Sequence, residues 1–261
     1  MLSFRQAGEP ARGDVLLVHG FPESSYMWRD VLQPIAAAGW RATAPDLAGF
    51  GDSPVDPPGT WTRHVEGLER FRAEAGLQEP LVLVVHDWGG LIGLRWACDH
   101  PEAVRGLVIS DTGFFSDGKW HDLAAAMRTP GTGEELVANM NRDGLAAALG
   151  QLSPGMTDDA IDDYARCLED DARKANVLEL YRSGEFEELE AYEGKLGALG
   201  VPTLVLWGEN DPFAPVASAE RFTSEIPDSR LVVVEGAGHF VFADAPQRCA
   251  DELVSFLAEL P

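Results

Sequence analysis

The chain of 261 residues carries 43 Asp and Glu against 20 Lys and Arg, a formal net charge of −23. So acidic a protein is repelled by nucleic acid and by anionic membrane surfaces, and neither is expected as a partner. Apolar residues at 45% and charged residues at 24% are ordinary for a globular protein with a full core, as one large domain or one domain carrying an insertion.

Cys98, Cys167 and Cys249 are far apart, odd in number and without metal-ligand spacing, which fits free thiols in a reducing compartment. Met1 to Arg5 has no signal-peptide pattern and no apolar run approaches membrane-spanning length, so a cytoplasmic protein is expected.

In chain order, Leu2–Gln6 reads as a first strand, closed by a turn at Gly8-Glu9-Pro10. Val15–Val18 is an interior strand that runs into His19-Gly20-Phe21-Pro22. A helix from about Tyr26 to Ala38 places Trp28, Val31, Leu32 and Ile35 on one face, and Gly39 stops it. Trp40–Pro45 is the next strand, followed by a loop through Ser53 and a helix over roughly Thr62–Ala75. Leu81–Val85 and Leu107–Ser110 are short apolar strands separated by a helical run, Leu91–Cys98, that ends before His100-Pro101. Strands alternating with helices of this length predict a mostly parallel sheet covered on both faces.

The alternation then breaks. From Phe114 to Gly197 there is no strand pattern, only amphipathic segments such as Asp122–Met127, Asp158–Leu168 and Ala172–Tyr181. This stretch, 114–196, is expected to be a helical cap, with 1–113 and 197–261 forming the core. Pro202–Trp207 and Leu231–Val234 restore the sheet, and Gln247–Leu260 closes the chain as a helix.

The stretch richest in chemistry is Leu81–Gly93. A buried strand, a sharp turn and a helix opened by Gly89 and Gly90 make a nucleophile elbow, and the residue on the turn is Asp87. A carboxylate is ionised at neutral pH and needs no base to act as a nucleophile. Attack by Asp87 on a saturated carbon would give an alkyl-enzyme ester, with an alkoxide or a halide leaving. The plain alternative is that Asp87 caps the following helix.

The order of these parts resembles the α/β-hydrolase family over essentially the whole chain, which implies a sheet of about seven or eight strands. The resemblance implies a catalytic histidine in Gly236-Ala237-Gly238-His239-Phe240, after the last strand, to activate water against the ester. Two acids are candidates for orienting His239. Asp211, in Gly208-Glu209-Asn210-Asp211, resembles the family's common acid loop, and Asp111 stands where some aspartate-nucleophile relatives carry theirs. Asp211 is preferred, with Asp111 read as a helix-cap or turn residue. His19-Gly20-Phe21-Pro22 resembles the oxyanion loop, so the N–H groups of Phe21 and Trp88 are the expected oxyanion donors.

An aspartate at the elbow narrows the resemblance to epoxide hydrolases and dehalogenases. A halide needs N–H donors, typically a Trp after the nucleophile and an Asn or second Trp; Trp88 is present, but Phe21 stands where many haloalkane dehalogenases carry Asn. An epoxide oxygen is far more basic and needs proton donors in the cap. Leu180-Tyr181-Arg182 resembles the Tyr-Arg element that supplies one, with Tyr164 as the fallback. His121 stands where a first tyrosine is expected, as in an epoxide-hydrolase subgroup with a His/Tyr pair. Trp120 beside it reads as pocket wall.

The expectation is therefore an epoxide hydrolase without cofactor or metal, acting on a small apolar epoxide and water. A haloalkane dehalogenase using the same Asp87 is the alternative, and a catalytically silent small-ligand receptor the reading from another class. A homodimer is the base-rate expectation.

Overall fold

The computed structural model describes residues 1–260. In chain order the elements are β1 (Phe4–Ala7), β2 (Asp14–Val18), α1 (Arg29–Ala37), β3 (Arg41–Pro45), α2 (Trp61–Glu74), β4 (Leu81–His86), α3 (Trp88–Asp99) and β5 (Val104–Ser110). Then come α4 (Asp122–Arg128), α5 (Thr132–Asn139), α6 (Arg142–Leu152), α7 (Asp158–Tyr164), α8 (Asp171–Arg182) and α9 (Lys195–Ala198). The chain closes with β6 (Thr203–Gly208), α10 (Val216–Glu225), β7 (Ser229–Val234), α11 (Val241–Asp244) and α12 (Pro246–Glu259).

The seven strands form one sheet in the order β1-β3-β2-β4-β5-β6-β7. β1 runs antiparallel to β3, and every other pairing is parallel. Alternation along the strands splits the core between two faces. Leu16, Val18, Leu83, Val85, Leu107 and Ile109 pack with α2, α3 and α10, while Val15, Leu17, Val82, Val84 and Val108 pack with α1 and α12. Both sides are covered, and that is why β2 and β4 are apolar almost throughout rather than alternating.

Several boundaries differ from the sequence pattern. The first strand starts at Phe4 rather than Leu2, and a 3₁₀ turn over Ser25–Trp28 precedes α1. Between β5 and β6 the chain is helical, and two of its helices, α5 and α6, were not among the expected segments. α5 is short and largely polar, and in α6 only Leu145, Leu149 and Leu152 mark the 3.6-residue period among alanines and glycines. Among the described residues no helix is long and apolar enough to cross a membrane.

Parallel pairing brings the C-terminal ends of the strands to one edge. Val18 is in register with Val85, and His86 with Ser110, so the loops after β2, β4 and β5 start side by side. α3 leaves this edge through the middle of the molecule, buried along most of its length. Its glycines exist for contact: a methyl at Gly89 would collide with the Val18 carbonyl, and one at Gly93 would lie 2.6 Å from the Val85 side chain. Because the obstacle at Gly89 is backbone, Gly89→Ala is expected to cost about 3 kcal/mol or more. For a chain of this size that lowers the Tm by roughly 6–12 °C, readable by fluorescence-monitored thermal unfolding.

Candidate active site

Asp87 occupies the turn between β4 and α3 at φ +50°, a backbone conformation rare outside glycine that stores strain of roughly 1–3 kcal/mol. Although it precedes α3, its side chain makes no capping hydrogen bond. The carboxylate instead accepts the Phe21 N–H at Oδ1, 2.7 Å away, while the Thr112 hydroxyl donates to the Asp87 carbonyl at 2.6 Å. Gly20 has no Cβ because the Asp87 carboxylate fills that space. Among the described residues no hydrogen bond from the Trp88 N–H to this carboxylate is formed.

The loop carrying Phe21 is itself fixed. His19 donates from Nδ1 to the Gly20 carbonyl at 2.8 Å and accepts the Leu47 N–H at Nε2, 2.9 Å away. Burial holds its pKa below the usual value, against the pull of Asp46, so it serves as a neutral brace.

On the other side of Asp87, His239 projects from the loop after β7. Its Nε2 is 3.6 Å from Asp87 Oδ2, and its Nδ1 donates to Asp211 Oδ2 at 2.8 Å. Asp211 is in turn held by the Phe213 and Ala214 N–H groups at 2.7 and 3.0 Å. Burial disfavours the imidazolium of His239, but the Asp211 charge and hydrogen bond, joined by Asp87, raise its pKa well above 6.5. Burial likewise pushes the Asp87 carboxyl up. The hydrogen bond and charge of His239, the charge of His86 and the Phe21 N–H outweigh it and bring the value down to about 2.

Asp111 caps no helix. It sits fully buried in the bend after β5, at φ +45°, accepting hydrogen bonds from Gly208 N–H at 2.9 Å and the Ser110 hydroxyl at 2.6 Å. Burial and the charge of Asp211 raise its pKa, so the neighbouring acid is the ionised one. The bond to His239 Nδ1 is made by Asp211.

Sequence reasoning missed a second charged pair beneath the site. His86, the last residue of β4, is wholly buried, with Nδ1 2.8 Å from Glu23 Oε2 and Nε2 2.8 Å from the His239 carbonyl. Both partners only accept, so both ring nitrogens carry protons. Burial works against that charge, but Glu23 overrides it and lifts the pKa to about 9. The available signal was a lone acid, Glu23, in the loop immediately after the Phe21 turn.

The helical segment between β5 and β6 closes the site from above. His121 and Tyr181 line the same cavities as Asp87, His239 and Phe213. His121 is the N-cap of α4: its Nδ1 accepts the Ala124 N–H at 3.3 Å. Burial lowers its pKa despite the nearby Asp87, so the ring is neutral and its proton sits on Nε2. The Tyr181 hydroxyl has its pKa raised by burial and by the Asp87 charge, and its ring meets Trp88 edge to face with centroids 5.1 Å apart. Trp120 stacks on Trp88 with centroids 5.7 Å apart, yet its own N–H is covered and unpartnered. Tyr164 packs in the core away from both cavities.

Among the described residues no three His, Cys, Asp or Glu side chains converge as a metal site. All three cysteines are buried free thiols, raised in pKa by burial.

A doubly covered parallel sheet, an acid on the elbow and a histidine after the last strand define an α/β hydrolase. The α/β-hydrolase fold family model matches residues 14–246, and the chain belongs to that family. A haloalkane dehalogenase of Mycobacterium marinum (strain ATCC BAA-535 / M) is 29% identical, over 95% of this chain and 86% of that one. The solved structure of a putative ancestral haloalkane dehalogenase superposes with a TM-score of 0.82 at 26% identity, covering 99% and 95% of the two chains. An epoxide hydrolase of Vigna radiata gives 0.80 at 22% identity over 98% and 94%, a likeness of fold.

The Glu23–His86 pair has a measurable consequence. His86 has a folded pKa above its unfolded value, so its stabilisation is complete below about pH 6.5 and is lost as pH rises through about 9. Glu23→Gln should therefore cost about 3 kcal/mol near pH 6, the penalty for stranding one partner of a buried pair. Calorimetric Tm values should differ most at pH 6 and converge above pH 9.

Proposed function

We propose that this protein is an epoxide hydrolase that works through an ester on Asp87. The observation that supports the reading best is the pair of cap-side donors, His121 Nε2–H and the Tyr181 hydroxyl, in one cavity with the Asp87 carboxylate. A departing alkoxide needs such protons, whereas a halide does not.

The reaction follows from the charges. Asp87 Oδ2 attacks an epoxide carbon, the C–O bond breaks, and the oxygen is received by His121 and Tyr181. Esterification removes one of the two anions flanking His239, so its raised pKa falls and its proton is released, balancing the one taken by the oxygen. Neutral His239 then takes a proton from water, and the hydroxide attacks the ester carbon. Charge develops on Oδ1, where Phe21 N–H is already placed and the Trp88 N–H is the proposed second donor. Collapse expels the diol, whose oxygen takes the proton of the new carboxyl group, and Asp87 is again a carboxylate beside a protonated His239.

A haloalkane dehalogenase is the second reading. It is favoured by the names of the similar proteins and by Trp88 directly after Asp87. Against it, Phe21 offers no side-chain donor and the Trp120 N–H is covered.

The deciding experiment is intact-protein mass spectrometry of His239→Gln mixed with epoxides and bromoalkanes. A stalled adduct equal in mass to a whole epoxide, absent when Asp87→Asn is added, is expected. An alkyl adduct with free bromide, and none from epoxides, would replace this reading with the dehalogenase. The two steps should also separate by pH in quenched single turnovers. Ester formation should stay constant down to about pH 4, because Asp87 titrates at about 2. Ester breakdown should slow as His239 becomes protonated, and slowing in both steps together would count against the assigned roles.

A further inference from the structure

The cavity above Asp87 has two unequal arms. Asp87, His121, Tyr181, Phe213 and His239 line both, so these residues form the waist at which the arms meet. The wider arm, about 290 Å³, is walled by Trp88, Trp120, Phe115 and Phe186, with Lys119 and Ser218 towards its rim. The narrower arm, about 80 Å³, runs along α6 and is apolar beyond the waist, with Phe21 and Phe240 beside its aliphatic side chains. Leu145, Ala148, Leu149 and Leu152 present an i, i+3, i+4, i+7 stripe to it, joined by Leu123 and Met140. Leu145 and Leu149 are buried, whereas Ala148 is exposed, so the slot opens outward at Ala148.

We infer that the substrate is an internal, unsymmetrical epoxide, with a flat aryl-sized group in the aromatic arm and a short alkyl group in the slot. This deepens the epoxide reading and rests on it. Each element has a physical cause. Flat aromatic walls favour a planar group by stacking. A slot without polar side chains beyond those of the waist rewards only apolar atoms, and its small volume favours a short chain. With roughly 30 Å³ for each water-sized group, the slot takes about three carbons before further chain reaches solvent at Ala148. A terminal epoxide would leave that arm unfilled and forgo its binding energy.

The test uses the intact wild-type protein and the 1-phenylalkane-1,2-diol series, from no alkyl arm to a pentyl arm, as unreactive probes. Dissociation constants are read from quenching of tryptophan fluorescence, since Trp88 and Trp120 line the wider arm. Affinity should rise about fourfold per carbon, the worth of one buried methylene, and level off after about three carbons, a total of about sixtyfold. Ala148→Phe at the exposed rim should reduce that ratio to within about threefold, and Met140→Ala should move the plateau to a longer arm. A flat series in the wild type, an unchanged ratio in Ala148→Phe, or no saturable quenching by any diol would overturn the inference.

The matching epoxides, run in parallel, separate this inference from the reading beneath it. Arm-dependent diol binding with no epoxide consumed leaves the slot standing and removes the hydrolase reading. Epoxides opened at rates indifferent to arm length do the reverse.

Discussion

An imidazole held between two carboxylates is the constraint around which the rest of the molecule is arranged. His239 touches Asp211 through Nδ1 and faces Asp87 through Nε2, and each contact needs a different loop at a different strand end. The parallel strands in this order bring those loops to one edge. The price of concentrating acids there is visible nearby: Asp111, fully buried beside Asp211, is driven towards its neutral form.

Charge is therefore managed locally rather than by the net balance of the chain. Two buried histidines answer the acids around them, His239 for Asp87 and Asp211, His86 for Glu23. The second pair also ties the strand that ends in the elbow to the main chain at His239, because His86 Nε2 donates to the His239 carbonyl. β4 and the His239 loop are thus joined both at the surface of the cavity and one layer below it.

How much of this could be read from the residues depended on the range of the interaction. β4 announces itself because a strand covered on both faces must be apolar throughout, and the elbow follows because Gly89 and Gly93 have no room for side chains. Asp87, His239, Asp211, His121 and Tyr181 stand out because each lies at a recognisable point relative to a strand or helix; the structure lines one cavity with four of them and sets Asp211 behind His239. α5 and α6 were harder to read, because α5 carries few apolar residues and α6 sets its three leucines among alanines and glycines. The Glu23–His86 pair spans 63 positions and exists only through the register of β2 with β4, which no local pattern encodes. Asp111 lies in a bend, one of the two places read for it, and its bond to the Gly208 N–H was not legible because Gly208 arrives from another strand.

The capping role of His121 ties chemistry to the folding of a single helical turn. A tyrosine hydroxyl at that position would rotate freely and donate in any direction. The imidazole has no such freedom, because the Ala124 N–H occupies Nδ1 and so dictates which nitrogen bears the proton. A fraying of the first turn of α4 would release the ring to its other tautomer and turn a donor into an acceptor. The first turn of α4 is thus a tautomer lock on His121, held by one side-chain-to-backbone hydrogen bond worth about 1 kcal/mol.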